Sequence, residues 1–534
     1  MSSARPVELL LQDGKINTLD PTHGVVQALA VAAGRVVAVG TTEAMRPLAG
    51  AGTQVVHLRG MSVLPGLIDA HLHLEHLAFS LSRVDCETST LEECLARVKQ
   101  RASAAPAGAW VLGHGWDQNR WGDFPDSSSL DTVSSGHPIY LTAKSLHAAW
   151  ANSIALELAG LNRQTVDPAD GAVGRDARGG LTGILVEGAM ALVSRAIPRP
   201  SMEDTLAAME ASQSNLWRYG LTGVHDFDGP SCFQALQLMQ ARGRLGLRVL
   251  KSIPLELLDS AAALGLRSGF GDDWLRIGAV KVFADGALGP RTAAMLAPYE
   301  GEPENRGTSL QDRESLFEIA RRAFAAGLSL AVHAIGDRAN HETLSAFAAL
   351  RRDPVAGTPP TMPSRIEHVQ LLHPDDIPAL ATLGLIASMQ PIHATSDMLM
   401  AERYWGSRAS TSYAWRSLEA AGTSLAFGSD APVESPNPFW GLHAAVTRRR
   451  HDGSPGKEGW IPDQRLSRQS ALRAFTRGPA SLAGLAGRQG TLAPGAFADL
   501  VVLDEDPLAC DEDRLFALLP RGTLVDGTWR YRDF

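Results

Sequence analysis

Apolar residues recur along this chain in short, nearly unbroken runs separated by amphipathic stretches, and the two ends differ in texture from the middle. From residue 7 to about 63 the runs are brief and stop at glycine. Val7–Leu11 precedes Asp13-Gly14, Ala28–Ala32 precedes Gly34, Arg35–Val39 precedes Gly40, and Val55–Leu58 precedes Gly60. Such glycine-punctuated runs predict hairpins. The C-terminal stretch from 484 repeats the texture, with Asp499–Leu503 and Thr523–Val525 as strands around Pro494-Gly495 and Asp526-Gly527 turns. One small β domain assembled from both termini, 1–63 and 484–534, is therefore expected.

Between the ends, eight runs read as buried parallel strands alternating with helical patterns such as Asp312–Ala326 and Gln469–Phe475. The runs are Val63–Ala70, Thr222–Phe227, Arg248–Ile253, Leu275–Phe283, Leu328–Val332, Ser364–Val369, Leu385–Gln390 and Ser424–Gly428. Repeated βα units in this number predict an α/β fold, a (β/α)8 TIM-type barrel over 64–483. A stretch of about 74–220 between the first two strands is far longer than one helix needs, and it carries strands of its own at Trp110–His114 and Pro138–Thr142. Insertions after a barrel strand lie on the face where βα loops build a pocket, so this one is expected to be a lid or substrate-contacting subdomain.

Composition narrows the function. Hydrophobic residues make up 45% and charged residues 20% of 534, as in soluble globular proteins. Forty-nine basic against 58 acidic residues give a net charge of −9, which disfavours a nucleic-acid or anionic-membrane partner. Cys86, Cys94, Cys232 and Cys510 show no Cys-x-x-Cys spacing, and the first residues lack a signal-like apolar core, so a cytoplasmic, reducing setting is expected.

Candidate chemistry gathers at the ends of the barrel strands. Pro65-Gly66-Leu67-Ile68-Asp69-Ala70-His71-Leu72-His73 ends in two histidines that a strand would turn to one face, where paired imidazoles suit a shared metal. Lys281, His333, His368 and Asp430 fall at or near the ends of strands four, five, six and eight. An ionisable group in an apolar strand is costly unless paired or metal-bound. Each alone has a bland explanation, but together they converge on one barrel mouth.

These motifs resemble the amidohydrolase superfamily, in its YtcJ-like branch (amidohydrolase family 3), which includes N-substituted formamide deformylases. The match runs through the His71-Leu72-His73 strand, Lys281-Val282-Phe283-Ala284-Asp285-Gly286, His333-Ala334-Ile335-Gly336-Asp337, Arg365-Ile366-Glu367-His368, Gly428-Ser429-Asp430-Ala431-Pro432 and the terminal Pro494–Leu503 segment. The resemblance implies a barrel with a β-sandwich built from both termini, and a metal-dependent hydrolase of amide or related acyl C–N bonds. It implies two divalent metal ions, with zinc best suited. His71 and His73 would bind one and His333 and His368 the other, with Lys281 as a carbamate bridging them around a hydroxide. Asp430 would be a ligand of the first metal and the general base and acid. Other readings stay open: a mononuclear deaminase- or deacylase-type hydrolase, and a barrel that binds a small ligand without turning it over. A cysteine-ligated variant is disfavoured, because Cys86, Cys94 and Cys232 stand at no suitable strand end.

For the substrate, a small-molecule amide, the sequence offers Trp116 and His147 in the insertion and Asp285 and Arg291 beside the lysine strand as contacts. The aromatics Trp121, Trp150, Tyr404, Trp405, Tyr413 and Trp415 serve equally as pocket lining or as packing. Asp285 and Arg291 could equally form a structural ion pair. Self-association is left open.

Overall fold

The computed structural model describes residues 7–134, 136–144, 148–169, 171–353 and 359–534. Two compact units form, Met1–Leu77 with Met209–Phe534, and Ala78–Ala208. The first holds a single eight-stranded parallel sheet, in chain order β1 (Leu67–Leu72), β2 (Leu221–Asp226), β3 (Arg248–Pro254), β4 (Leu275–Phe283), β5 (Leu330–Ala334), β6 (Arg365–His368), β7 (Ile386–Met389) and β8 (Leu425–Phe427). Each strand pairs with its sequence neighbour, and a parallel bridge between Leu72 and Ala431 joins the last to the first. All eight correspond to predicted runs. Strands β1, β2, β5, β6 and β7 are buried along their whole length; β5 is the clearest apolar run, with Leu330-Ala331-Val332 in succession, whereas β6, Arg365-Ile366-Glu367-His368, buries three ionisable residues. Outer helices follow their pattern: Arg313–Ala325 is capped by the Asp312 carboxylate and buries Leu316, Ile319, Ala320 and Ala323 on one face.

The predicted first strand is divided. Ser62–Pro65 pairs antiparallel with Leu500–Leu503 in a six-stranded sheet of the terminal domain, whereas Leu67–Leu72 enters the barrel. Gly66 is the junction, where a Cβ would stand 2.2 Å from the Thr222 Oγ1 atom of β2, so only glycine lets the chain cross here. A second, four-stranded sheet faces the first, and Leu9, Leu29 and Val56 pack with Val63, Leu500 and Leu524 into a shared core. The two ends of the chain thus form a β-sandwich. A buried bidentate pair holds it to the barrel: Arg248 of β3 donates from Nε and Nη2 to Asp499 at 2.6 and 3.0 Å, its guanidinium 3.6 Å from the Phe497 ring centre.

The second unit is the insertion, narrower than the expected 74–220. It is built on a six-stranded sheet that includes Val111–Trp116 and Ile139–Ala143, matching the two strands expected there. Among the described residues no helix is long and apolar enough to cross a membrane. Cys86, Cys94, Cys232 and Cys510 are unpaired thiols.

Candidate metal centre

The barrel mouth is assembled by side chains at the C-terminal ends of the strands. Asp69 of β1 fixes the seam between the first and last strands. Its carboxylate accepts from the Ser429 hydroxyl (2.5 Å), the Ser429 amide (3.0 Å) and the His71 amide (3.0 Å), while the Asp430 amide donates to the His71 carbonyl at 2.7 Å. Gly428 is required beside this seam, because a Cβ would come within 2.4 Å of the His71 nitrogen. Asp430 then adopts φ +60 and His368 φ +74, left-handed conformations that turn their side chains out of the strand direction. Aspartate tolerates that region better than most residues; histidine at the end of β6 is the more constrained.

Each imidazole has one nitrogen committed. Nδ1–H of His71 donates to Glu367 Oε2 (2.7 Å), that of His73 to Asp228 Oδ1 (3.0 Å), and that of His368 to Gln390 Oε1 (2.8 Å). In the neutral ring this leaves Nε2 of all three with a free lone pair. His333 is reversed, donating Nε2–H to the Gly286 carbonyl at 2.9 Å and leaving Nδ1 free. Burial, the largest cause in each case, keeps His71 and His368 well below the ordinary imidazole value and brings His333 down to about 3. The Lys281 charge adds to each, so these rings are neutral and ligand-ready at pH 7.

The spacing fits an ion. Asp430 Oδ1 lies 3.5 Å from His71 Nε2 and 3.6 Å from His73 Nε2. Donors at roughly 2.1 Å from one tetrahedral zinc stand about 3.4 Å apart. Donor atoms of His71, His368 and Asp430 also lie within 4.8 Å of one another. Burial raises Asp430 above the usual carboxylate value, opposed by His393, His73 and Lys281. Lys281 is itself buried, its Nζ 4.5 Å from the Phe227 ring centre and 4.9 Å from that of Phe283. Burial lowers it to about 8, against the pull of Glu367 and Asp430, and no carboxylate of the described residues lies within 4.0 Å of it.

The expected substrate residues fare differently. Asp285 is buried, and its carboxylate accepts from the backbone amides of Ala294 (2.9 Å), Ile335 (3.0 Å) and Gly336 (2.8 Å). It organises loops beside His333 and is not paired with Arg291. Arg291 instead meets Glu302 at 2.9 Å, its guanidinium 5.2 Å from the Tyr404 ring centre. Trp116 has no exposed surface. It packs in the insertion's core with Leu141 and Trp150 and donates its indole N–H to the Leu141 carbonyl at 2.8 Å, which is a packing role within that unit. Trp150, Trp405, Tyr413 and Trp415 are buried likewise. His147 lies outside the described residues.

Sequence reasoning passed over several residues of the mouth. Asp228, held by His73 and by His76 Nδ1 (2.5 Å), follows β2 in His225-Asp226-Phe227-Asp228; burial would raise its carboxyl, but those hydrogen bonds outweigh burial and hold it well below the usual range. Phe227 stacks on His71 with ring centres 4.1 Å apart. Glu367 adjoins a predicted ligand and also pairs with Arg365 at 2.6 Å. His393, in the first turn of the helix Pro391–Trp405 that follows β7, stacks parallel to His368 with ring centres 6.1 Å apart. Only the Asp-x-Asp after β2 and the Gln-Pro-x-His after β7 were available as signals, and neither is specific.

Residues 54–531 match the model of the amidohydrolase family. The chain is 33% identical to Protein LONG AFTER FAR-RED 3 of Arabidopsis thaliana over 93% of its own length and 87% of that protein's. It is 32% identical to the putative amidohydrolase YtcJ of Bacillus subtilis, over 89% and 90% of the two chains. The figure for the N-substituted formamide deformylase of Arthrobacter pascens is 30%, over 98% of each. Among solved structures, an uncharacterized metal-dependent hydrolase from Pyrococcus furiosus superimposes with a TM-score of 0.76 at 31% identity, covering 94% of this chain and 100% of that one. With the family model spanning nearly the whole sequence and its motifs meeting at one barrel mouth, the chain belongs to the amidohydrolase family, in its YtcJ-like branch.

Proposed function

We propose that this protein is a metal-dependent amidohydrolase that cleaves an amide or related acyl C–N bond at the barrel mouth. The observation that carries the reading is the set of imidazoles, each with one nitrogen tied back, around a buried carboxylate 3.5 and 3.6 Å from two of them. His71, His73 and Asp430 would hold one divalent ion; His333 and His368 would hold a second, and Lys281, as a carbamate, would bridge. Zinc suits this nitrogen and oxygen set. When bound, such ions supply a water acidic enough to attack at neutral pH and polarise the scissile carbonyl.

The chain's own residues do the rest. Asp430, raised by burial, takes a proton from the attacking water and returns it to the departing nitrogen, so that the amine leaves neutral. Glu367, Asp228 and Gln390 keep the ligand rings in one tautomer and one orientation. The buried Phe227 ring, 4.5 Å from the Lys281 Nζ, helps to keep the amine desolvated. The name of the Arthrobacter relative, a deformylase of N-substituted formamides, supports acyl C–N bonds as the substrate class.

Metal analysis of the purified protein, run beside hydrolysis assays on N-acyl amines, aryl amides, cyclic amides and esters, tests the reading. Metal at one or two ions per chain with turnover of amides is expected, and a chelator should abolish that turnover. Stoichiometric metal without turnover of any of these compounds would favour a ligand-binding barrel instead.

A further inference from the structure

His393 differs from every other histidine at the barrel mouth. It is 7% exposed, and its Nε2 has no hydrogen-bond partner. On its other side the Gln370 amide Nε2 faces Nδ1 at 3.5 Å. The Nε2 side faces Asp430 Oδ2 at 3.9 Å, where a ring lone pair would meet the oxygen's own, so the tautomer with its proton on Nε2 is favoured, and Nδ1 is then left to accept from the Gln370 amide. His71, His73 and His368 turn a lone pair to the centre; His393 turns an N–H.

That N–H is aimed at the reacting region. Nε2 lies 3.9 Å from Asp430 Oδ2, too far for a hydrogen bond, on the oxygen opposite the one that faces His71 and His73. A buried donor without an acceptor forfeits the hydrogen bond water would have given it, and native proteins rarely leave one so. The ring stacks within 5° of parallel on His368, and its residue is fixed in the first turn of the helix leaving β7.

We infer that His393 is a further catalytic residue, whose Nε2–H donates a hydrogen bond to the carbonyl oxygen of the substrate and holds the oxyanion that forms when the carbonyl carbon becomes tetrahedral. The inference rests on the amide-hydrolysis reading and names a contact that reading does not use. No proton changes hands: the N–H stays on His393 throughout, and the bond strengthens because the oxygen gains negative charge. A fixed donor in a water-poor site favours the transition state over the ground state. A metal-ligand role would need the opposite tautomer, with a lone pair turned towards the Asp430 carboxylate.

The test compares wild type with His393→Ala and His393→Gln, all metal-loaded. The Gln variant returns an N–H at similar reach. Turnover is measured on the best amide of the panel, and affinity for methylphosphonate, a tetrahedral anion, by calorimetry. His393→Ala should lose about 100- to 1,000-fold in kcat, the scale of removing one oxyanion donor, with KM changed only a few-fold and metal content unchanged. Its methylphosphonate affinity should weaken at least about tenfold, and His393→Gln should recover part of both losses. Loss of metal from His393→Ala would make the residue a ligand and overturn the inference. So would unchanged kcat and unchanged methylphosphonate affinity, a rise in KM alone, or a wild-type enzyme that does not bind methylphosphonate. If wild type hydrolyses no amide but the methylphosphonate difference and its recovery by Gln hold, the amide reading fails while the donor role stands.

Discussion

Replacing Lys281 with methionine keeps a linear apolar stem against Phe227 and Phe283 and removes only the amine. Burial lowers this lysine from its ordinary 10.5 to about 8. Between those two values the unfolded chain binds a proton that the folded one does not, so wild-type stability rises as pH climbs through the interval. The penalty is fully present below pH 8 and gone above 10.5. In metal-stripped protein it amounts to about 3 kcal/mol at pH 7 and under about 1 kcal/mol at pH 10. Metal-stripped Lys281→Met should therefore be the more stable protein at pH 7, with about 2 kcal/mol of that advantage gone by pH 10. Paired denaturant titrations at the two pH values measure the change in the difference, in which the titration of groups not coupled to Lys281 cancels. A difference that stays constant would mean that the amine is not depressed, and it would remove the physical basis for a neutral Lys281 able to add carbon dioxide. The functional counterpart is Lys281→Ala, which should lose activity and at least one metal ion. Added acetate should restore part of both by replacing the carbamate's carboxylate.

Asp430→Asn should lower turnover at least about a hundredfold while metal content falls by no more than one ion, because the amide cannot carry the proton; near-normal turnover with intact metal would refute the role. Trp116→Ala removes a wholly buried indole and its bond to Leu141, so it should cost about 3–5 kcal/mol. It should leave the order of preferred amides unchanged; a reordered panel with an unchanged melting temperature would return Trp116 to the pocket. Gly66→Ala drives a Cβ to 2.2 Å from Thr222 Oγ1 and should destabilise by about 1–3 kcal/mol. Thr222→Ala should relieve part of that loss, and a double variant no better than the single one would mean that the strain lies elsewhere.

How far the sequence carries the argument depends on the kind of information each feature needs. The barrel strands were legible because strands buried on both faces carry apolar residues at successive positions, as in Val249-Leu250 of β3 and Leu330-Ala331-Val332 of β5, and no partner need be known to see them. The division of the first run at Gly66 was not legible. Its two halves are equally apolar, and what separates them is pairing: Ser62–Pro65 with Leu500–Leu503 from the far end of the chain, Leu67–Leu72 with β2. The metal-ligand candidates stood out because ionisable groups in apolar strands are rare. The residues that orient those candidates did not, since Asp228 and Gln390 sit in loops where polar side chains are ordinary.

His393 marks the boundary of what can be read. In sequence it is one histidine near the start of a helix, with nothing to separate it from His341 or His443. Its distinction is a tautomer, favoured by the Asp430 carboxylate that it faces, and a direction, set by its place in the first turn of the helix after β7. Both are products of tertiary structure. Strand ends that supply lone pairs share a pattern that recurs along the chain, so they could be recognised together. A donor aimed among them from a neighbouring helix has no such pattern and becomes visible only when each buried nitrogen at the barrel mouth is assigned its partner.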